Sequence, residues 1–133
     1  MIDFLRMREL IKKLPKIQWD VEKKEANAER ITSRITGMPR SGKGGNRQED
    51  ALIALADARE AYQEAIDELE SMRKELLPLI DRLEDINEKA MIRMRYMKGH
   101  SIEEIAETIE RDNRSVYRYL TKAEGKITDM QKI

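Results

Sequence analysis

Arg114 and Arg118 stand four residues apart in the stretch Asn113-Arg114-Ser115-Val116-Tyr117-Arg118-Tyr119-Leu120-Thr121-Lys122. A guanidinium holds five donors in a fixed fork, which matches the two acceptors on the major-groove edge of guanine and equally a phosphate. At about 100° per helical residue, a spacing of four puts both forks on one side. Val116, Leu120 and Ala123 fall on the opposite side, with Tyr119 at its edge, and the apolar stripe extends to Ile127. Tyr117 and Thr121 flank the arginines on one side, Ser115 and Lys122 on the other. Two forks, an ammonium, hydroxyls and the Asn113 amide suit a duplex, arginine pairing with guanine while the others reach phosphate or sugar. The bland alternative is a solvated amphipathic helix, so the surrounding elements have to decide.

Other residues that could carry chemistry point nowhere specific. His100 is the sole histidine and there is no cysteine. A lone imidazole without thiolates or clustered carboxylates makes a poor metal site and has no evident nucleophile to activate; a capping or solvent-facing role is expected. The acids Glu64, Asp67, Glu68 and Glu70 read as a solvated helix face rather than as paired catalytic carboxylates. Gly37 through Gly42-Lys43 has the first half of a phosphate-loop spacing. Gly44, however, stands where a magnesium-binding Ser/Thr is needed, and no strand precedes it. No catalytic residue, cofactor or metal is expected.

The elements that must position the arginines can be read outward from them. Asp112 is the natural N-cap of their helix. Upstream, Gly99 can take the left-handed conformation that closes a helix. Ser101 is an N-cap, with Glu104 three residues on completing a capping box. Ile102, Ile105, Ala106 and Ile109 give the intervening helix one apolar stripe. So short a helix is unstable alone and has to be held between neighbours. With the preceding helix, Glu88 to Met97, these make a tri-helical helix-turn-helix over 87–133, the recognition helix covering about 113–124.

Residues 48–86 form a long heptad helix. Leu55, Tyr62, Leu69, Leu76, Leu83, Ala90 and Met97 recur every seventh residue, and Ala58, Ala65, Met72, Leu79 and Ile86 supply the second seam. Pro78 predicts a bend near Leu77 or two helices in series. Residues 1–36 are also helical in period, through Leu10, Leu14, Ile17, Val21, Ala28, Ile31 and Ile35; Pro15 is expected to break or kink them. Trp19 is either an anchor at a helix–helix contact or a partly covered surface aromatic. Residues 37–47 are a glycine-rich basic linker. The fold class is therefore all-α, a long coiled-coil helical hairpin followed by the tri-helical unit. Whether the seam closes within one chain or between two is open at this level.

Bulk properties agree with helices and set limits. The 133 residues are 39% charged and 5% aromatic, which favours helical over strand formation. The formal net charge is zero, so global charge lends nucleic-acid binding no support. It is segregated, though: residues 1–48 hold twelve Lys/Arg against six Asp/Glu, and residues 49–75 three against nine. No apolar run spans a membrane and no signal peptide is evident, so a cytoplasmic location is expected.

From Ser101-Ile-Glu-Glu-Ile-Ala to Thr121-Lys122-Ala123 the chain resembles, without a gap, the promoter-reading region-4 domain of bacterial sigma factors. Ile92-Arg93-Met94-Arg95-Tyr96-Met97-Lys98-Gly99 resembles the approach to that domain. The whole-chain plan, including Met38-Pro39-Arg40-Ser41-Gly42-Lys43-Gly44, resembles small phage and prophage regulators of the ArpU and RinA type. The resemblance implies a transcriptional regulator in a bacterial host that contacts double-stranded DNA through Asn113, Arg114, Ser115, Tyr117 and Arg118. Thr121 and Lys122 join them on the helical geometry above. A homodimer through the heptad helices and a contact with RNA polymerase are further expectations. The alternatives are a coiled-coil protein that acts on polymerase without touching DNA, and a phage packaging subunit. Glu110 and Arg111 depart from the sigma pattern, which usually has glycine and a small apolar residue in the turn. Glu110 therefore has to hold, or avoid, a left-handed conformation.

Overall fold

The computed structural model describes residues 1–37 and 44–132, with side chains for 1–32 and 47–132. The described residues form helices joined by short turns, without a strand, so the chain is all-α: α1 Phe4–Gly37, α2 Gly44–Asp81, α3 Ile86–Ile92, α4 Ile102–Ile109 and α5 Asn113–Met130. One π-helical turn, Arg93–Met97, continues α3. No helix among the described residues is long and apolar enough to cross a membrane. Most of the glycine-rich basic segment, 38–43, lies outside the described residues, while 44–47 already belong to α2.

The chain divides into two compact units, Met1–Ile11 with Leu69–Ile133, and Lys12–Glu68. In the second unit Val21 and Ala28 of α1 form a buried cluster with Leu55 and Ala58 of α2, and Tyr62 packs against it. The α2 seam thus has a partner in the same chain. Glu25 and Arg59 bridge the two helices at 3.2 Å, an exposed pair of small energetic weight.

Both prolines lie inside helices. The expected break at Pro15 is absent, and α1 is assigned as a single helix through it. Proline there removes one backbone hydrogen bond without ending the helix. Pro78 likewise sits within α2, which stops only at Asp81. Two helices in series do follow, but the break falls beyond the proline. It coincides with the N-cap of the next helix, where Asp85 accepts hydrogen bonds from the Asn87 and Glu88 amides at 2.8 and 3.3 Å. The turn resets the heptad phase. Leu69, Leu76 and Leu83 are buried as the repeat demands, whereas Ile86 is 80% exposed and Ala90 is exposed as well.

In the first unit α5 packs on α3 and α4. Met91, Ile92, Ile105, Val116, Ala123 and Ile127 are almost fully buried, with Leu83 and Leu120 beside them. Each is worth about 1.5–3 kcal/mol on burial if large and aliphatic. The chain's first residues complete this core. Ile2, Phe4, Met7 and Leu10 are buried, and the Phe4 and Tyr96 rings lie 5.0 Å apart in a tilted arrangement.

Candidate nucleic-acid interface

Local chemistry fixes both ends of α4. Gly99 has φ +75°, the left-handed conformation that ends the preceding helical turn. The Ser101 hydroxyl accepts from the Glu104 amide at 3.2 Å, and the Glu104 carboxylate accepts from the Ser101 amide at 3.4 Å. His100 closes the corner through Nδ1 at 2.9 Å from Glu104. That contact, foremost, and the Ser101 hydrogen bonds hold the Glu104 carboxyl below its usual range. The histidine is thus a helix-capping neighbour.

At the other end Glu110 adopts φ 57°, ψ 46°, the left-handed conformation that favours glycine. The Arg111 amide then reaches back to the Ala106 carbonyl at 3.0 Å. A non-glycine residue here costs on the order of 1 kcal/mol. Glu110→Gly is accordingly expected to raise stability by at most about 0.6 kcal/mol in urea unfolding, after the entropy that glycine adds to the unfolded chain. A loss of stability would remove strain from the description of this turn.

Asp112 caps α5, accepting from the Ser115 amide at 3.3 Å. Hydrogen bonding from Ser115, with a smaller contribution from the nearby Arg118 charge, lowers its carboxyl pKa. The Arg111 guanidinium lies 5.4 Å from the centre of the Tyr119 ring, within cation–π range. These contacts set the entry of α5 as tightly as its buried stripe sets its rotation.

Of the residues expected on the reading face, Asn113, Arg114, Tyr117, Arg118, Thr121 and Lys122 are exposed and Ser115 is half-buried. Tyr117 keeps 61% of its surface in water, unusual for a large aromatic. Among the described residues Arg114, Tyr117 and Lys122 make no side-chain hydrogen bond or ion pair. Positions 113–122 contain three Lys/Arg and no acid. The face is cationic, solvent-exposed and fixed in rotation by the buried stripe opposite it. Glu103, Glu104 and Glu107 give the exposed side of α4 the opposite sign.

Sequence reasoning missed what stands behind this face. Arg8 donates to the Tyr96 hydroxyl and to the Glu124 carboxylate, each at 2.8 Å. Tyr96 itself hydrogen-bonds Glu124, and Arg73 Nε donates to the Tyr96 carbonyl at 2.7 Å. Glu88, fully buried, takes the Lys126 ammonium at 2.9 and 3.1 Å, tying α3 to α5. The apolar spacing Phe4, Met7, Leu10 was a possible signal for the docking of residues 1–11, but a spacing names no partner.

Glu124 adds a pH dependence. Burial raises its pKa, opposed by the Arg8 and Arg95 charges. The folded state therefore binds this proton more tightly than the unfolded chain does. The resulting stabilisation is complete below the ordinary value of 4.5 and is lost as pH rises through the raised folded value. Glu124→Gln, which keeps an acceptor but cannot ionise, is expected to flatten the decline of the urea midpoint above that pH. Parallel declines in variant and parent would assign the dependence to other groups.

A family model described as "Protein of unknown function (DUF1492)" matches residues 31–128. No curated protein and no solved structure matches the chain significantly.

Proposed function

The chain belongs to the DUF1492 family, and we propose that it is a sequence-specific, double-stranded-DNA-binding transcriptional regulator of phage or prophage type. In this reading α5 enters the major groove with Arg114 and Arg118 toward base edges, and Tyr117, Thr121 and Lys122 toward the backbone. Ser115 and Asn113 sit at the helix N-terminus, whose partial positive charge favours a phosphate. The observation that carries the reading is the half of α5 that is exposed and free of acids, on a helix whose other side is locked into a core. The role is one of binding, without catalysis or cofactor, in the cytoplasm of a bacterial host.

Two chains on DNA would place their recognition helices on half-sites about one helical turn, or a multiple of it, apart. Such a homodimer has to use surfaces other than the Leu55–Ala58 seam, which Val21 and Ala28 of the same chain fill. Selection of bound sites from a random duplex pool with the full chain tests the proposal. Enrichment of a short motif is the expected result. Absence of enrichment would overturn sequence-specific reading, and retention of duplex only when RNA polymerase is added would replace it with polymerase contact, for which the acidic side of α4 offers a surface.

A further inference from the structure

The second unit presents a surface that α5 does not account for. Taking about 100° per residue, Lys12, Lys16, Trp19, Lys23 and Arg30 fall within about 60° of one another on α1. All five are exposed, and they lie opposite Val21 and Ala28, which face α2. Trp19, the chain's one tryptophan, keeps 62% of its surface in water. Among the described residues Lys12, Lys16 and Lys23 have no ion-pair partner. Arg30 only donates to Asn27, at 3.0 Å. Of the acids beside the stripe, Asp20 is held by Lys24 at 2.8 Å, and Glu22 lies on the far side of Trp19.

We propose that this stripe is a second, sequence-independent DNA surface, on which the lysines and Arg30 neutralise backbone phosphates and Trp19 packs against the deoxyribose rings between them. The stripe is about 27 Å long at 1.5 Å per residue. A duplex offers a phosphate charge every 1.7 Å or so along its axis, so four cations at this spacing find partners without demanding a sequence. Contacts to phosphate and sugar position a protein on a duplex without reading its sequence. The unit is also polarised. Glu49, Asp57, Glu60, Glu64 and Asp67 occupy the exposed side of α2, so a polyanion is attracted to α1 and repelled by α2. This is why DNA suits the stripe better than a second copy: the basic and acidic faces lie on opposite sides of the pair, which cannot satisfy both in a closed twofold contact. The proposal rests on duplex DNA being this chain's partner, but on none of the residues of α5.

Trp19 reports on the stripe directly. The full chain is titrated with a mixed-sequence duplex of roughly 40 base pairs, about four turns, at several salt concentrations. Tryptophan emission and affinity are followed for the parent, for Lys12→Gln/Lys16→Gln/Lys23→Gln, and for Arg114→Ala/Arg118→Ala. The emission is expected to change on binding in the parent and, at low salt, in the Arg114/Arg118 variant too. The lysine variant should lower the slope of log affinity against log salt by about 2–3 with its melting curve unchanged. An emission unmoved by duplex, with the slope unaltered in the lysine variant, overturns the proposal whether or not α5 binds. So does an emission change that follows protein concentration alone, with a doubled mass, which would give the stripe to self-association. Failure of the α5 reading shows separately, as parent-like affinity of the Arg114/Arg118 variant for a selected site.

Discussion

Arg114→Ala/Arg118→Ala is expected to cost a selected duplex site at least about thirtyfold in affinity while leaving the fold intact. Each bidentate arginine–guanine pair is worth about 1–3 kcal/mol of discrimination, and neither side chain takes part in the core. The variant's urea and thermal unfolding should therefore overlay those of the parent. How the loss depends on salt separates two roles. Arginines that pair with bases leave the salt slope nearly unchanged, whereas each one moved from a phosphate lowers it by about 0.9. Unimpaired affinity would remove both residues from the reading face.

The largest effect on stability should come from the Glu88–Lys126 pair. Glu88 is fully buried, and its two carboxylate oxygens meet the same ammonium. Lys126→Met keeps the aliphatic stem and strands the carboxylate, at a cost on the order of 3 kcal/mol. This is the lower end of the range for breaking a buried pair, because 45% of the lysine side chain reaches water. Replacing both partners, Glu88→Leu with Lys126→Met, should recover most of that loss, since no buried charge then remains without a partner. Urea unfolding of the three variants closes the cycle. A loss below about 0.5 kcal/mol for Lys126→Met would class the pair with surface bridges. Because the pair joins α3 to the far end of α5, its loss should also blunt DNA binding by loosening the helix that carries the arginines.

What could be read from sequence was the chemistry that is local. The Ser101–Glu104 capping box, the Asp112 cap and the positive φ at Gly99 each involve residues at most three apart, so their geometry follows from the residue types. The 3.6-residue period also placed Val116, Leu120 and Ala123 inward and Arg114 and Arg118 outward. Reasoning failed where the partner is distant. Residues 1–36 read as one segment, yet their first part completes the core around Tyr96 through Phe4, Met7 and Leu10, and Arg8 finds Glu124 from 116 positions away. The heptad misled beyond Leu83, because Asp85 begins a new helix and the repeat does not survive a change of phase. At Pro15 the helix runs on without a break, and the break after Pro78 falls a few residues later than the proline, at Asp81.

In the proposed complex Arg114 and Arg118 touch DNA. This contact is tested most directly by heteronuclear NMR of the full chain, labelled with nitrogen-15 and titrated with a duplex from the selected pool. The Nε–Hε signals of Arg114 and Arg118 should shift and sharpen as the guanidiniums become fixed, together with the amides of 113–122. A titration in which duplex binds while these two signals stay where they are in the free protein would contradict the account.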